Sequence, residues 1–238
     1  LFGMSYENVM PTACGIEMIH TYSLIHDDLP VMDNDDFRRG KPTCHKVYGE
    51  ALALLAGDAL LTHAFATIAM NSKIIGISLK AVLDVIEKVS LAAGGYGMIG
   101  GQVIDIETSG KNIDRDTLYY ISNHKTGYLI KISLWSGARL AGASKEDLEI
   151  IELFGEKIGL AFQIVDDMLD EKGDENTLGK PVGSDIKNLK NTFVSMYGNI
   201  GCVKIINELS LEAKKLISHF KNSDFFIQLT DFIVNRSY

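Results

Sequence analysis

No proline lies between positions 43 and 180 of this chain; its four prolines are Pro11, Pro30, Pro42 and Pro181. A proline inside a helix removes a backbone donor and clashes with the preceding turn, so this long gap leaves helix after helix open to the chain. Alternating strand patterns joined by Asn-Gly or Asp-Gly turns are absent. The spacing therefore predicts a nearly all-helical chain. Helices are expected over about 7–28, 46–71, 78–108 and 115–141, then from an N-cap at Ser144 through Asp170. Asp147 stands three residues after Ser144, close to a capping box. A polar loop, 29–43, follows the first helix, and a second, 171–192, precedes two closing helices near 193–220 and 223–236. Gly94, Gly95, Gly97, Gly100 and Gly101 interrupt the third helix; close packing, room for a ligand or simple kinking each accounts for them.

A chain of 238 residues with 46% hydrophobic content suits one sizeable domain with a real core, or two small ones. A formal charge of -8 argues against general nucleic-acid binding. Cys14, Cys44 and Cys202 form no metal pattern and cannot all pair internally, which fits a reducing, cytoplasmic setting. The six histidines show no zinc-site spacing. No uninterrupted apolar run reaches transmembrane length, so no membrane span is expected.

Two aspartate clusters carry the chemistry. The first is Asp27, Asp28 and Asp33, followed by Arg38 and Arg39; the second is Asp166, Asp167 and Asp170, followed by Lys180 and further lysines. Each ends a strongly apolar stretch. Mg²⁺ wants oxygen ligands, and carboxylates together with phosphate oxygens supply them. Arginine forks match phosphate geometry. The pattern points to hard cations sharing a site with a polyphosphate. Pro30 turns the chain after the first helix, so Asp33 need not keep helical spacing to point back. Asp166 and Asp170 share a helix face, where like charges are unfavourable unless something compensates. A solvated acidic loop is the alternative for the first cluster, but Tyr22-Ser23-Leu24-Ile25 leads straight into it. His20, seven residues before Asp27, reads first as a core histidine and second as a phosphate ligand. Lys125, within His124-Lys125-Thr126, either snorkels or reaches the anion, and Lys190 is similarly open.

The stretches from Ile19 to Thr43, Gly100 to Asp105, His124 to Thr126, Gly159 to Asp170, Gly179 to Pro181 and Asp185 to Thr192 together resemble the trans-isoprenyl diphosphate synthases, specifically the short-chain bacterial farnesyl type. The resemblance spans essentially the whole chain. It implies an all-α isoprenoid-synthase bundle around a deep central cavity, and a homodimer. It implies three Mg²⁺ ions bridging the motifs and an allylic diphosphate, held by Asp27, Asp33 and Asp166 with Asp28, Asp167 and Asp170 in support. Arg38, Lys125 and Lys180, assisted by Lys190, would hold the allylic diphosphate. His20 and Arg39 would contact isopentenyl diphosphate. Thr126 and Gln163 would lie beside the reacting carbons. Residues 1–238 would form a single polyprenyl synthetase domain. The family carries a Gly-Lys-Arg segment upstream of the first motif; nothing here matches it, and the chain is expected to lack its N-terminal helices.

The reaction so implied is ionisation of the allylic C–O bond, attack on the cation by the isopentenyl double bond, and loss of a proton. In the resembling family a bulky aromatic five residues before the first aspartate floors the cavity and favours a fifteen-carbon product. Tyr22, with Ser23, takes that place here. A two-residue expansion between Asp28 and Asp33 also occurs in bacterial geranylgeranyl synthases, which makes a twenty-carbon synthase the nearest rival. A terpene cyclase fits less well, because Arg38-Arg39 and the second aspartate motif favour prenyl transfer. A non-catalytic subunit of a heteromeric synthase is a further alternative, against which both motifs stand intact.

Overall fold

The computed structural model describes residues 1–172 and 190–236. Helix α1, Tyr6–Asp27, runs to the first acidic motif. Pro30 then forces a turn, and the backbone folds back on itself: the Asp33 amide donates to the Asp27 carbonyl at 2.8 Å and the Asn34 amide to the Leu29 carbonyl at 3.1 Å. Asp33 is thereby returned to the end of the helix that carries Asp27. Strands β1, Phe37–Arg38, and β2, Lys41–Pro42, follow as a minimal hairpin. Its two loop residues, Arg39 and Gly40, have φ of 52° and 73°. Positive φ at both positions is the primed turn whose twist matches paired strands. Only a loop was expected over 29–43; two-residue strands are too short to display alternation.

The helical remainder is α2 (Cys44–Tyr48), α3 (Glu50–Ala69), α4 (Leu79–Ala93), α5 (Met98–Thr108), α6 (Arg115–Ser122), α7 (Tyr128–Leu140), α8 (Lys145–Lys172), α9 (Phe193–Ile217, kinked at Gly198) and α10 (Asp224–Asn235). The fold is all-α, as the sequence predicts. Ser144 caps α8: its hydroxyl accepts from the Asp147 amide at 3.1 Å and donates to the Asp147 carboxylate at 2.9 Å. Three expected helices depart from one regular run, the second breaking at Gly49 between α2 and α3. The third breaks between Ala93 and Met98, at the glycine cluster. The fourth is continuous but passes through a π-helical turn, Asn123–Gly127, between α6 and α7.

Helix α1 lies along α3, and α8 packs between α7 and α9. One apolar core joins α1, α3, α4 and α7 through Ile19, Ile68, Val85, Val89 and Trp135. A second joins α6, α8 and α9 around Leu118, Ile164 and Phe193, and a third joins α7, α8, α9 and α10 around Phe154, Ile151 and Ile217. Each such side chain contributes about 1.5–3 kcal/mol on burial. The helical span Glu50–Lys73, which contains an 18-residue window of mean hydropathy 1.6, is long and apolar enough by length and composition to cross a bilayer. It is not an uninterrupted apolar run, and the expectation that none exists stands. Asp58 and His63 interrupt the apolar residues there without breaking the helix. Its inner face packs on α1, while Leu52, Leu54 and Leu55 stay exposed.

Candidate active site

The two acidic motifs sit at the C-terminal ends of α1 and α8. His26 anchors the first: its Nε2–H donates to the Leu54 carbonyl at 3.0 Å, tying the end of α1 to α3. Asp27 faces a cavity of about 690 Å³ whose walls include His20, Tyr22, Ser23, Gln102, Lys125 and Thr126. That volume lies in the range of about 300–1,000 Å³ usual for small-molecule sites. Much of the remaining lining is apolar, from α1, α5 and α7, with Phe162 of α8. A smaller outer cavity, about 330 Å³ and lined by Lys88, Tyr96 and Trp135, contains neither motif.

Burial pushes the Asp27 carboxyl up. Lys125 opposes that shift, Asp33 adds to it, and Lys190 and Arg38 oppose it. Asp35 is raised in the same way, by burial and then by Asp33. Among the described residues three cations of the mouth are paired. Arg38 forks onto the buried Asp28 carboxylate, with Nη2 2.6 Å from Oδ1 and Nε 2.9 Å from the same oxygen. Lys190 reaches Asp33 at 3.0 Å, and Lys125 reaches Asp105 at 2.6 Å. Arg39 is exposed in the hairpin turn. Burial holds the His20 imidazole below its ordinary range, with Arg39 and Arg38 adding to the effect and Glu17 opposing it. Ser23 donates its hydroxyl to the His20 carbonyl at 2.9 Å.

A hydrogen-bond chain links the π-turn to the second motif. Thr126 Oγ1 donates to Gln163 Oε1 at 2.6 Å, and Gln163 Nε2 donates to Asp167 Oδ1 at 2.7 Å. The other Asp167 oxygen accepts the Phe193 amide at the start of α9, at 2.7 Å. Asp167 and Asp170 are buried, whereas Asp166 is exposed and lies 3.3 Å from Arg236. Lys180 lies outside the described residues.

Three contributors were not assigned roles from sequence. Gln102 donates to Asp27 Oδ1 at 2.9 Å, and Asp105, one turn further along α5, holds Lys125. Their signal is a polar i, i+3 pair on an otherwise apolar helix. Arg236, at the end of α10, bonds the Phe162 carbonyl at 3.0 Å, lies over the Phe162 ring and faces Asp166. It stands 70 residues from Asp166 and carries no local sequence signal.

Among the described residues no three His, Cys, Asp or Glu side chains converge as a metal cage. Mg²⁺ needs none, because one or two carboxylates with substrate phosphate and water complete its octahedron. Asp27 and Asp33, brought together by the loop and both oxygen donors, fit that demand.

Comparison with known proteins places this arrangement. The family model described as polyprenyl synthetase matches residues 2–204. The geranylgeranyl diphosphate synthase of Cyanophora paradoxa is 47% identical over 239 residues, covering 100% of this chain and 79% of the relative. The farnesyl diphosphate synthase of Geobacillus stearothermophilus is 47% identical over 216 residues, covering 90% of this chain and 71% of the relative. The crystal structure of the geranyltransferase from Helicobacter pylori, complexed with magnesium and isoprenyl diphosphate, superposes with a TM-score of 0.82 at 33% identity, over 96% of this chain and 74% of that one. A helical bundle of this form, matched by the family model over most of its length, belongs to the polyprenyl synthetase family of prenyltransferases.

Proposed function

We propose that the protein is a farnesyl diphosphate synthase, condensing isopentenyl diphosphate with dimethylallyl and then geranyl diphosphate and releasing diphosphate. The observation that carries the fifteen-carbon reading is Tyr22. It is 5% exposed, lines the cavity and stands five residues before Asp27 on α1. A buried ring there limits how far a growing chain extends along α1.

In this reading Asp27, Asp33 and Asp166 hold Mg²⁺, three ions per site, with Asp28, Asp167 and Asp170 in support. Bound Mg²⁺ would supply positive charge against the leaving diphosphate. Arg38, Lys125 and Lys190 take the allylic diphosphate, exchanging Asp28, Asp105 and Asp33 for phosphate oxygens, and Lys180 joins them. Their charge stabilises the anion as the C–O bond breaks. His20 and Arg39 orient isopentenyl diphosphate. Thr126 and Gln163, fixed to each other, present oxygens to the allylic cation. The apolar walls exclude water that would quench it. The proton lost in the last step goes to the departed diphosphate, so no covalent enzyme nucleophile is needed. The Helicobacter geranyltransferase complexed with magnesium and isoprenyl diphosphate supports this choice of metal and ligand.

Residues 1–238 are read as one cytoplasmic domain that works as a homodimer, with the exposed apolar face of α3 as its interface. A twenty-carbon product is the second reading, favoured by the Cyanophora relative. The test is an assay with Mg²⁺, isopentenyl diphosphate and each allylic substrate, product length being read by mass spectrometry. A fifteen-carbon product that lengthens in Tyr22→Ala supports the proposal. A twenty-carbon wild-type product overturns it in favour of a geranylgeranyl synthase.

A further inference from the structure

We infer that Gly101 on α5, backed by Gly159 on α8, positions the π-turn that carries Lys125 and Thr126, and that prenyl transfer depends on this grip. The inference rests on the prenyl-transfer reading above.

A π-turn inserts one residue into a helix, disturbs the regular hydrogen-bond ladder and occurs often at functional sites. Such a turn needs outside support to hold one geometry. A Cβ built on Gly101 would lie 2.4 Å from the Lys125 amide nitrogen and 2.9 Å from the His124 carbonyl carbon, where ordinary contact is 3.4–4 Å. Those atoms are backbone, and cannot swing aside as the tip of a side chain can. On the other side of the turn, a Cβ on Gly159 would lie 2.9 Å from Gly127 Cα. The turn is therefore seated against two helices whose glycines bring no side chain to either contact.

Each gripping helix also holds a functional side chain of the same turn. Helix α5 supplies Asp105 to Lys125, and α8 supplies Gln163 to Thr126, both at 2.6 Å. Backbone contact and side-chain hydrogen bond act within the same five-residue turn: Lys125 is held at both its amide and its ammonium, and Thr126 by Gln163 with its neighbour Gly127 against Gly159. A methyl at 101 demands a displacement of about 1 Å, and a misplacement of that size costs on the order of 100-fold in rate. Gly137 on α7 supplies the contrast: a Cβ there meets nothing within 4 Å.

The test compares Gly101→Ala, Gly159→Ala and Gly137→Ala in the full chain, by steady-state kinetics and by hydrogen exchange of residues 123–127. Gly101→Ala is expected to lower kcat by about 100-fold, to leave KM for isopentenyl diphosphate within about threefold, and to accelerate exchange in the turn. Gly159→Ala, whose tightest contact is 2.9 Å to Gly127 Cα, is expected to lose about tenfold and carries the test should Gly101→Ala not fold. Gly137→Ala is expected to match the wild type in both readouts. A folded Gly101→Ala protein with kcat within about twofold of wild type overturns the inference. Unchanged exchange in 123–127 overturns it as well, whatever the activity. A wild-type chain with normal exchange and no prenyl transfer overturns the functional reading and, with it, the catalytic dependence.

Discussion

Lys190 Nζ lies 3.0 Å from Asp33 Oδ2, across 157 positions of sequence. Both side chains are mostly shielded, at 19% and 23% exposure, so solvent and salt screen the pair less than a surface pair. The contact joins the segment entering α9 to the loop leaving α1. It pairs a proposed diphosphate ligand with a proposed metal ligand. A Mg²⁺–diphosphate unit would take the carboxylate with its cation and the lysine with its anion. Lys190→Met should therefore lower kcat/KM for the allylic diphosphate by about 10- to 100-fold, the range of one lost charge-assisted bond. Thermal stability should fall by about 1 kcal/mol or less. Steady-state kinetics beside a melting curve separate the two effects, and unchanged kcat/KM would leave Lys190 a purely structural role.

Tyr22 has a buried hydroxyl with no hydrogen-bond partner among the described residues, while its ring meets His26 edge-on at 5.6 Å. An unsatisfied buried hydroxyl costs about 1–3 kcal/mol. Tyr22→Phe retains the ring and removes that cost. The variant should keep product length unchanged and melt roughly 2–4 °C higher for each kcal/mol regained. A lengthened product from Tyr22→Phe would mean that the hydroxyl, rather than the bulk of the ring, sets the limit.

What the sequence disclosed follows the range of each signal. The end of α1 and the recoil of Asp33 were legible, because Pro30 acts locally. The Ser144 cap was legible because it needs only Asp147. Arg38 was legible as a basic residue beside the first motif and Lys125 as a lysine inside an apolar helical stretch, but not their pairing with Asp28 and Asp105, which depends on how the hairpin lies against α1 and α5 against the π-turn. The π-turn left no mark, since one added residue scarcely alters an apolar helical pattern. Arg236 left none either, being brought to Asp166 only when α10 packs on α8.

The raised Asp27 carboxyl has a definite consequence for stability. Its folded pKa exceeds the unfolded value, so between the two the folded state binds more protons. Stability then falls as pH rises through that window, and the ionised group is a standing cost at neutral pH. Burial is the main cause, with Lys125 opposing and Asp33 adding. Asp27→Asn, which keeps the Gln102 contact within reach, should raise the melting temperature at pH 7. The gain should shrink as pH falls through that window and be gone below the unfolded carboxylate value of about 4. Activity should drop at least about 100-fold at every pH, because a proposed metal ligand is lost. Melting curves of both proteins from pH 3 to pH 8, roughly the span bracketing that window, check the sign; a variant less stable than wild type at pH 7 would contradict it.

Metal and diphosphate should stabilise the protein together far more than either does alone. No three-residue cage is preassembled among the described residues, so Mg²⁺ by itself meets an incomplete octahedron. Diphosphate by itself meets lysine and arginine already neutralised by Asp33, Asp105 and Asp28. Added together, each supplies what the other lacks. At a ligand concentration of about 100 times Kd, binding contributes about 2.7 kcal/mol. For a chain of this size that is a rise of roughly 5–10 °C in melting temperature. Mg²⁺ alone and diphosphate alone should each give less than about a third of that shift, and EDTA should abolish the combined effect. Additive single-ligand shifts, with no gain from the pair, would show that the two sites are independent and that Asp27 and Asp33 do not share their metal with the diphosphate.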